Sequence, residues 1–283
     1  MIIDFHTHVV PPMVKEERSR YVASDSVFAS IFSDSNSKLA TAEDLIGSMD
    51  SNGIDVSVMV NYSWATDKLC TETNDYILES AARYPQRLIG FCTFKSQSCE
   101  TAVYEIERCT RGGARGIGEI RPDLQSPPFK DIEAIKPLVE TMRKYGLVFL
   151  THASEPVGHI YPGKGGATPD LLYPFISSFP DLPVVCAHWG GGLPFYALMP
   201  EVKKAMENVY FDTAASPFLY TPQIYPQVSQ LVGAEKILFG SDYPLLTQSR
   251  LLNEINTADL TEEARKLILS GNAQGLLGIG DKV

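Results

Sequence analysis

Residues 2–8 read Ile-Ile-Asp-Phe-His-Thr-His, a short apolar run that closes on two histidines two positions apart. Such a run is too short for a helix and reads as a strand buried on both faces. Seven more runs of this kind follow, at 56–62, 88–94, 114–120, 147–153, 183–189, 209–214 and 237–242. Between them apolar residues recur with helical spacing. In 131–146 they are Ile132, Ile135, Leu138, Val139 and Met142, and the segment stops at a glycine. Helices are likewise predicted at 71–84, 99–110, 169–179, 195–207 and 222–232, with 261–270 closing the chain. Eight strands alternating with helices, with no domain-sized break in composition, predict an α/β fold: one (β/α)8 barrel domain over residues 1–283. A doubly wound open sheet is the rival arrangement.

Two connections are longer than a barrel needs. Residues 9–40 carry a Pro-Pro turn and a Ser/Asp-rich stretch, and residues 155–168 read EPVGHIYPGKGGAT. Both follow strands, so both are expected as lid-like insertions on the catalytic face.

The chain has 283 residues, 24 Lys+Arg against 34 Asp+Glu, and a net charge of −10. With 44% hydrophobic and 20% charged residues it can build a full core without disulfides, and disorder is excluded for most of its length. An acidic balance without a basic run argues against nucleic acid or an anionic membrane surface as partner and leaves a small-molecule substrate. Self-association into a homo-oligomer is compatible with these numbers. No apolar run reaches the length of a membrane span, and MIIDFHTHVV meets Asp and His too early for a secretory leader, so a cytoplasmic location is expected. Cys70, Cys92, Cys99, Cys109 and Cys186 are scattered and read as reduced thiols.

The strand ends carry the chemistry. His6 and His8, at i and i+2, project to one side of a strand and can share one metal ion, although in isolation such a pair is more often simply hydrogen-bonded histidines. Glu119 ends the fourth run, His152 the fifth, His188 the sixth and Asp242 the eighth, so four of the five histidines occupy strand ends. These residue types suit a divalent ion, zinc foremost with manganese as the other candidate. Such an ion lowers the pKa of a bound water while a neighbouring carboxylate takes its proton. Asp242 is the natural base, with a turn or cap residue as its plainer role. Glu119 either faces a cation or pairs with Arg121 or Arg115. Arg121, two positions on, is alternatively free to grip a substrate carboxylate, and His159 and Tyr161 in the second long connection are candidates for substrate contacts. Gly190–Gly192 either presents amides to an anion or makes a tight turn.

The segments FHTH, GEIR, LTHAS, CAHWGGG and FGSDYP, in this order, resemble the amidohydrolase superfamily, and specifically its amidohydrolase-related branch, over nearly the whole chain. That branch includes metal-dependent hydrolases and the aminocarboxymuconate-semialdehyde decarboxylase group. The resemblance implies a distorted (β/α)8 barrel. It also implies that His6, His8, His152 and Asp242 hold a first metal, and that His188 either holds a second or polarises the substrate. The superfamily's strand-four lysine is absent. Glu119 stands in its place, as in members whose glutamate bridges two metals. The missing lysine and Arg121 favour one ion over two.

The expected function is therefore metal-dependent hydrolysis of an amide, ester or lactone, with His188 polarising the substrate and Asp242 shuttling the proton. The alternative is non-oxidative decarboxylation or hydration of a small carboxylic acid. A non-catalytic metal or ligand sensor would not need Asp242 as a base.

Overall fold

A computed structural model describes residues 1–95, 98–124 and 129–280. Eight strands lie in chain order in one parallel sheet: β1 (Ile3–Thr7), β2 (Val56–Val60), β3 (Leu88–Cys92), β4 (Gly116–Ile120), β5 (Val148–Thr151), β6 (Val184–Cys186), β7 (Val209–Asp212) and β8 (Ile237–Leu238). β1 meets the chain beyond β8 through Phe5 N–H to the Phe239 carbonyl (2.7 Å), Asp242 N–H to the His6 carbonyl (2.9 Å) and His8 N–H to the Tyr243 carbonyl (2.7 Å). These bonds bring the two edges together, and the fold is the (β/α)8 barrel.

The two-residue period of each strand divides the core in two. Ile3, Phe5, Val56, Val58, Val60, Phe91, Val148, Leu150, Val185 and Leu238 form one buried cluster, closed by Ala273 and Leu277 of the C-terminal helix. The alternate residues Met59, Ile117, Phe149, Val184, Phe211 and Ile237 join the helices in the other. The first cluster fills the barrel interior. Gly118, at φ +154, is the position where the fourth strand yields room, because a Cβ there would collide with Leu150.

The structure departs from the sequence reading at several elements. Residues 9–40 carry three short helices, Pro12–Glu16, Arg18–Ser24 and Ser26–Phe32, which pack Tyr21, Phe28 and Phe32 with Trp64 into a core of their own. Buried Asp25 caps the third of these helices. One oxygen accepts the Val27 and Phe28 N–H groups, and the other accepts Ala65 N–H (2.8 Å), which ties the insertion to the segment after β2. Asp25→Ala is expected to destabilise the fold by about 1–2 kcal/mol, read as a shift of the denaturation midpoint.

Helices Ala42–Asn52 and Gln248–Thr257 were not expected, since each shows only a short apolar stripe; Leu45/Met49 and Leu251/Ile255 are its buried residues. The helix expected at 195–207 is split into Leu193–Leu198 and Pro200–Ala205, because Pro200 lacks the N–H that would continue it. The sixth and eighth strands end early, at Cys186 and Leu238 rather than at 189 and 242. Among the described residues no helix is long and apolar enough to cross a membrane.

Candidate metal centre and catalytic pocket

Four imidazoles from the strand ends converge on Glu119, and Asp242 joins them through His6 and His8. Its Oε1 lies 2.8 Å from His152 Nδ1 and 3.3 Å from His188 Nε2. Its Oε2 lies 3.4 Å from His8 Nε2 and 3.7 Å from His6 Nε2. Asp242 Oδ1 stands 3.3 Å from His8 Nε2 and 3.8 Å from His6 Nε2. All six residues are buried.

Simple alternation aims two of them, since Leu238 leads in two-residue steps to Asp242 as Leu150 leads to His152. Val148, Leu150 and His152 lie on one side of β5 and its extension, so His152 follows the interior residues directly. On β1 the interior residues are Ile3 and Phe5, which would leave His6 and His8 facing out. The pairing with β2 sets Asp4 against Ser57 and Thr7 against Met59, three steps against two. That bulge turns both imidazoles inward. The same irregularity between Ile117 and Ile120 on β4, against Phe149 and Thr151, turns Glu119 inward. His188, which Val185 and Ala187 would leave facing out, is re-aimed by left-handed backbone at φ 55, and Asp242 is also left-handed, at φ 62. Such conformations cost about 1–3 kcal/mol each in non-glycine residues. They are held here by His188 N–H to Asp212 Oδ1 (2.8 Å) and Asp242 N–H to the His6 carbonyl.

Asp212 was not singled out from sequence, although it too ends a strand. Its Oδ2 accepts His6 Nδ1–H at 2.7 Å and fixes that ring with Nε2 toward Glu119. The His8 Nδ1 faces the Val60 carbonyl (3.0 Å), and its ring stacks on Tyr62 with centroids 4.3 Å apart. Asp212→Asn is expected to weaken divalent-metal binding about 10- to 100-fold, measured by chelator competition, because the carboxylate sets both the tautomer and the basicity of His6.

Burial would raise the Glu119 carboxyl, but His152, His188 and His6 hold it well below the usual carboxylate range. Burial likewise opposes the ionised form of Asp242, while the His8 hydrogen bond and the charges of His6 and His188 bring it to about 2. For His188, burial is outweighed by Glu119, and its pKa rises to about 9. His6 and His8 also rise against burial, driven by Asp212, Glu119 and Asp242, whereas for His152 burial wins and its pKa falls. The carboxylates thus draw protons onto the surrounding imidazoles, and a cation can take the place of those protons. Two triads, His6/His8/Glu119 and Glu119/His152/His188, each have their donor atoms within 4.8 Å of one another. This imidazole and carboxylate set fits a divalent first-row ion.

The cluster opens into a cavity of about 390 Å³. Ile31, Phe32, Tyr62, Phe218, Leu219 and Leu245 make much of its wall apolar. Both long connections reach it, the first through Val27 and Lys38, the second through His159, Tyr161 and Gly163. Arg121 borders the cavity as well. It does not pair with Glu119: its Nε and Nη2 bind the two oxygens of Asp123 at 3.1 and 2.9 Å. Arg115 is also turned away, onto the Leu277 carbonyl. Tyr161 O–H donates to Glu155 (2.9 Å), and the His159 ring lies 5.4 Å from the Tyr161 ring. The Gly190–Gly192 run is a turn, with the Gly191 and Gly192 amides bonded to the His188 and Trp189 carbonyls.

Residues 3–279 match the amidohydrolase family model. A gamma-resorcylate decarboxylase of a Polaromonas species is 24% identical over 81% of this chain and 84% of its own length. The 2-amino-3-carboxymuconate-6-semialdehyde decarboxylase of Dictyostelium discoideum is 23% identical over 98% of this chain and 91% of its own. Among solved structures, a dihydroxybenzoic acid decarboxylase from Polaromonas with bound manganese and the inhibitor 2-nitroresorcinol superposes with a TM-score of 0.79. It is 21% identical and covers 98% of this chain and 96% of that one. These relatives overturn the hydrolytic expectation: they remove a carboxyl group from an organic acid, the reaction held above as the alternative.

Proposed function

Because the chain belongs to the amidohydrolase family, we propose that it is a metal-dependent, non-oxidative decarboxylase of a small, planar, hydroxylated aromatic or conjugated acid. The observation that carries this reading is that relatives aligning over most of its length are decarboxylases of such acids. The apolar, aromatic-walled cavity above an imidazole and carboxylate cluster agrees with it, since a flat acid gains by burying its ring while its oxygens meet the charges below.

His6, His8 and Glu119, with His152, His188 and Asp242 facing the same space, would hold a divalent ion, manganese or zinc, which would supply positive charge against the oxygens of the acid. We take one ion per chain. In the reaction the bond between the carboxyl group and its carbon breaks, carbon dioxide leaves, and the electron pair stays on that carbon, which then takes a proton. Asp242 moves this proton. Its carboxyl is ionised at neutral pH, so it first accepts a proton from a substrate hydroxyl and then delivers it to the carbon, and the oxygen left charged regains a proton from solvent on release. His188, whose Nε2 lies 3.3 Å from Glu119 Oε1, faces the acid from the end of the sixth strand and would polarise one of its oxygens. Arg121, His159 and Tyr161 border the bound molecule. The apolar wall excludes water from the carbon while it carries charge.

A panel of hydroxylated benzoates that includes gamma-resorcylate, incubated with the manganese-loaded protein, is expected to yield carbon dioxide from at least one member. No release from any member, with turnover of an amide, ester or lactone instead, would overturn the reading.

A further inference from the structure

Residues 163–166, Gly-Lys-Gly-Gly, are seated on the site by three hydrogen bonds. Arg121 Nη1–H donates to the Gly163 carbonyl (3.0 Å), Gly165 N–H donates to Ser154 Oγ (3.1 Å), and Gly166 N–H donates to Asp123 Oδ2 (2.9 Å). A Cβ on Gly165 would overlap Arg121 Nη2 and Asp123 Oδ2, so a side chain there displaces the pair on which the strap sits. Ser154 is fully buried, and its Oγ also lies 3.0 Å from His152 Nε2. The other ring nitrogen of His152, Nδ1, is the one at Glu119 Oε1.

Donor and acceptor accounting gives this chain a direction. An ionised Glu119 only accepts, so Nδ1 carries the hydrogen that faces it. The neutral ring then has its lone pair on Nε2, which accepts the Ser154 O–H, and the Ser154 oxygen accepts Gly165 N–H. Each donor points from the strap toward the carboxylate. Where a cation replaces the hydrogen at Nδ1, the ring hydrogen resides on Nε2 and donates to Ser154 Oγ, whose two lone pairs accept it together with Gly165 N–H. A hydroxyl at 154 satisfies both arrangements, and alanine satisfies neither.

We propose that Ser154 is a positioning residue that couples the seating of the glycine strap to the aim of His152 Nδ1 at Glu119 and at a cation held there. The proposal rests on the reading of the cluster as a metal centre. Its test uses the full chain, Mn²⁺ alone as the probe, and the variants Ser154→Ala, Ser154→Thr and Gly165→Ala.

Ser154→Ala is expected to weaken Mn²⁺ binding about 10-fold and to speed amide hydrogen exchange across 163–166 by at least about 10-fold, with Ser154→Thr restoring both. Gly165→Ala unseats the strap from the other side, through Arg121 and Asp123, leaving the Ser154 and His152 side chains in place, and is expected to weaken Mn²⁺ binding as well. A merely structural serine would lower the melting temperature and leave both readouts in place. Wild-type Mn²⁺ affinity and strap exchange in Ser154→Ala overturn the proposal. So does a Gly165→Ala protein with a freely exchanging strap and wild-type Mn²⁺ affinity, and this variant decides alone if Ser154→Ala does not fold. Neither readout needs turnover, so a failure to release carbon dioxide sinks the proposed reaction and leaves this coupling to stand or fall separately.

Discussion

Asp242→Asn is expected to slow carbon dioxide release about 10²- to 10⁴-fold while the protein keeps its fold. The size of the effect follows from the chemistry: the amide can neither accept the hydroxyl proton nor return it to carbon. The survival of the fold follows from the backbone. Asp242 sits at φ 62, a conformation that asparagine adopts as readily as aspartate does. The bonds that hold it, Asp242 N–H to the His6 carbonyl and Leu245 N–H to the Asp242 carbonyl, are made by main-chain atoms that the substitution leaves alone. An unchanged melting temperature with a collapsed turnover number is therefore the expected pair of results. A variant with wild-type turnover would remove Asp242 from the reaction.

Glu119→Gln is expected to be at least as severe, for a different reason. Among the described residues Glu119 is the only carboxylate whose two oxygens together reach four imidazoles. Replacing one oxygen with an amide nitrogen turns an acceptor into a donor and removes the charge on which the cluster is centred. Bound metal, measured on the purified protein, is expected to fall from about one ion per chain to below about a tenth, and carbon dioxide release to fall with it. A wild-type content near two that drops to near one would instead show that Glu119 bridges a pair of ions about 3.5–4 Å apart.

The barrel is legible in the sequence because each strand is an isolated apolar run and each crossover helix carries its own stripe. The polar endings His6, His8, Glu119, His152, His188 and Asp242 are legible for the same reason, as interruptions of apolar runs at equivalent places. The aim of His6, His8, Glu119 and His188 is not. The bulges on β1 and β4 and the left-handed backbone at His188 and Asp242 depend on neighbouring strands, and no local pattern announces them. The partners are hidden too. Asp212 lies 206 positions from His6, and Asp123 displaces Glu119 as the partner of Arg121 through loop geometry that spacing does not encode. Helices Ala42–Asn52 and Gln248–Thr257 escape notice because each buries only a narrow stripe. Hydrolysis and decarboxylation draw on the same endings, so the residues that mark the site do not by themselves separate the two reactions. The relatives do.

The measurement that tests this most directly is the fate of solvent atoms in one turnover. An acid consumed by the manganese-loaded protein in D₂O is expected to release carbon dioxide and to give a product with one deuterium on the carbon that bore the carboxyl group. In H₂¹⁸O the same product is expected to carry no ¹⁸O. An organic product that gains ¹⁸O from water, with no carbon dioxide released, would contradict the account.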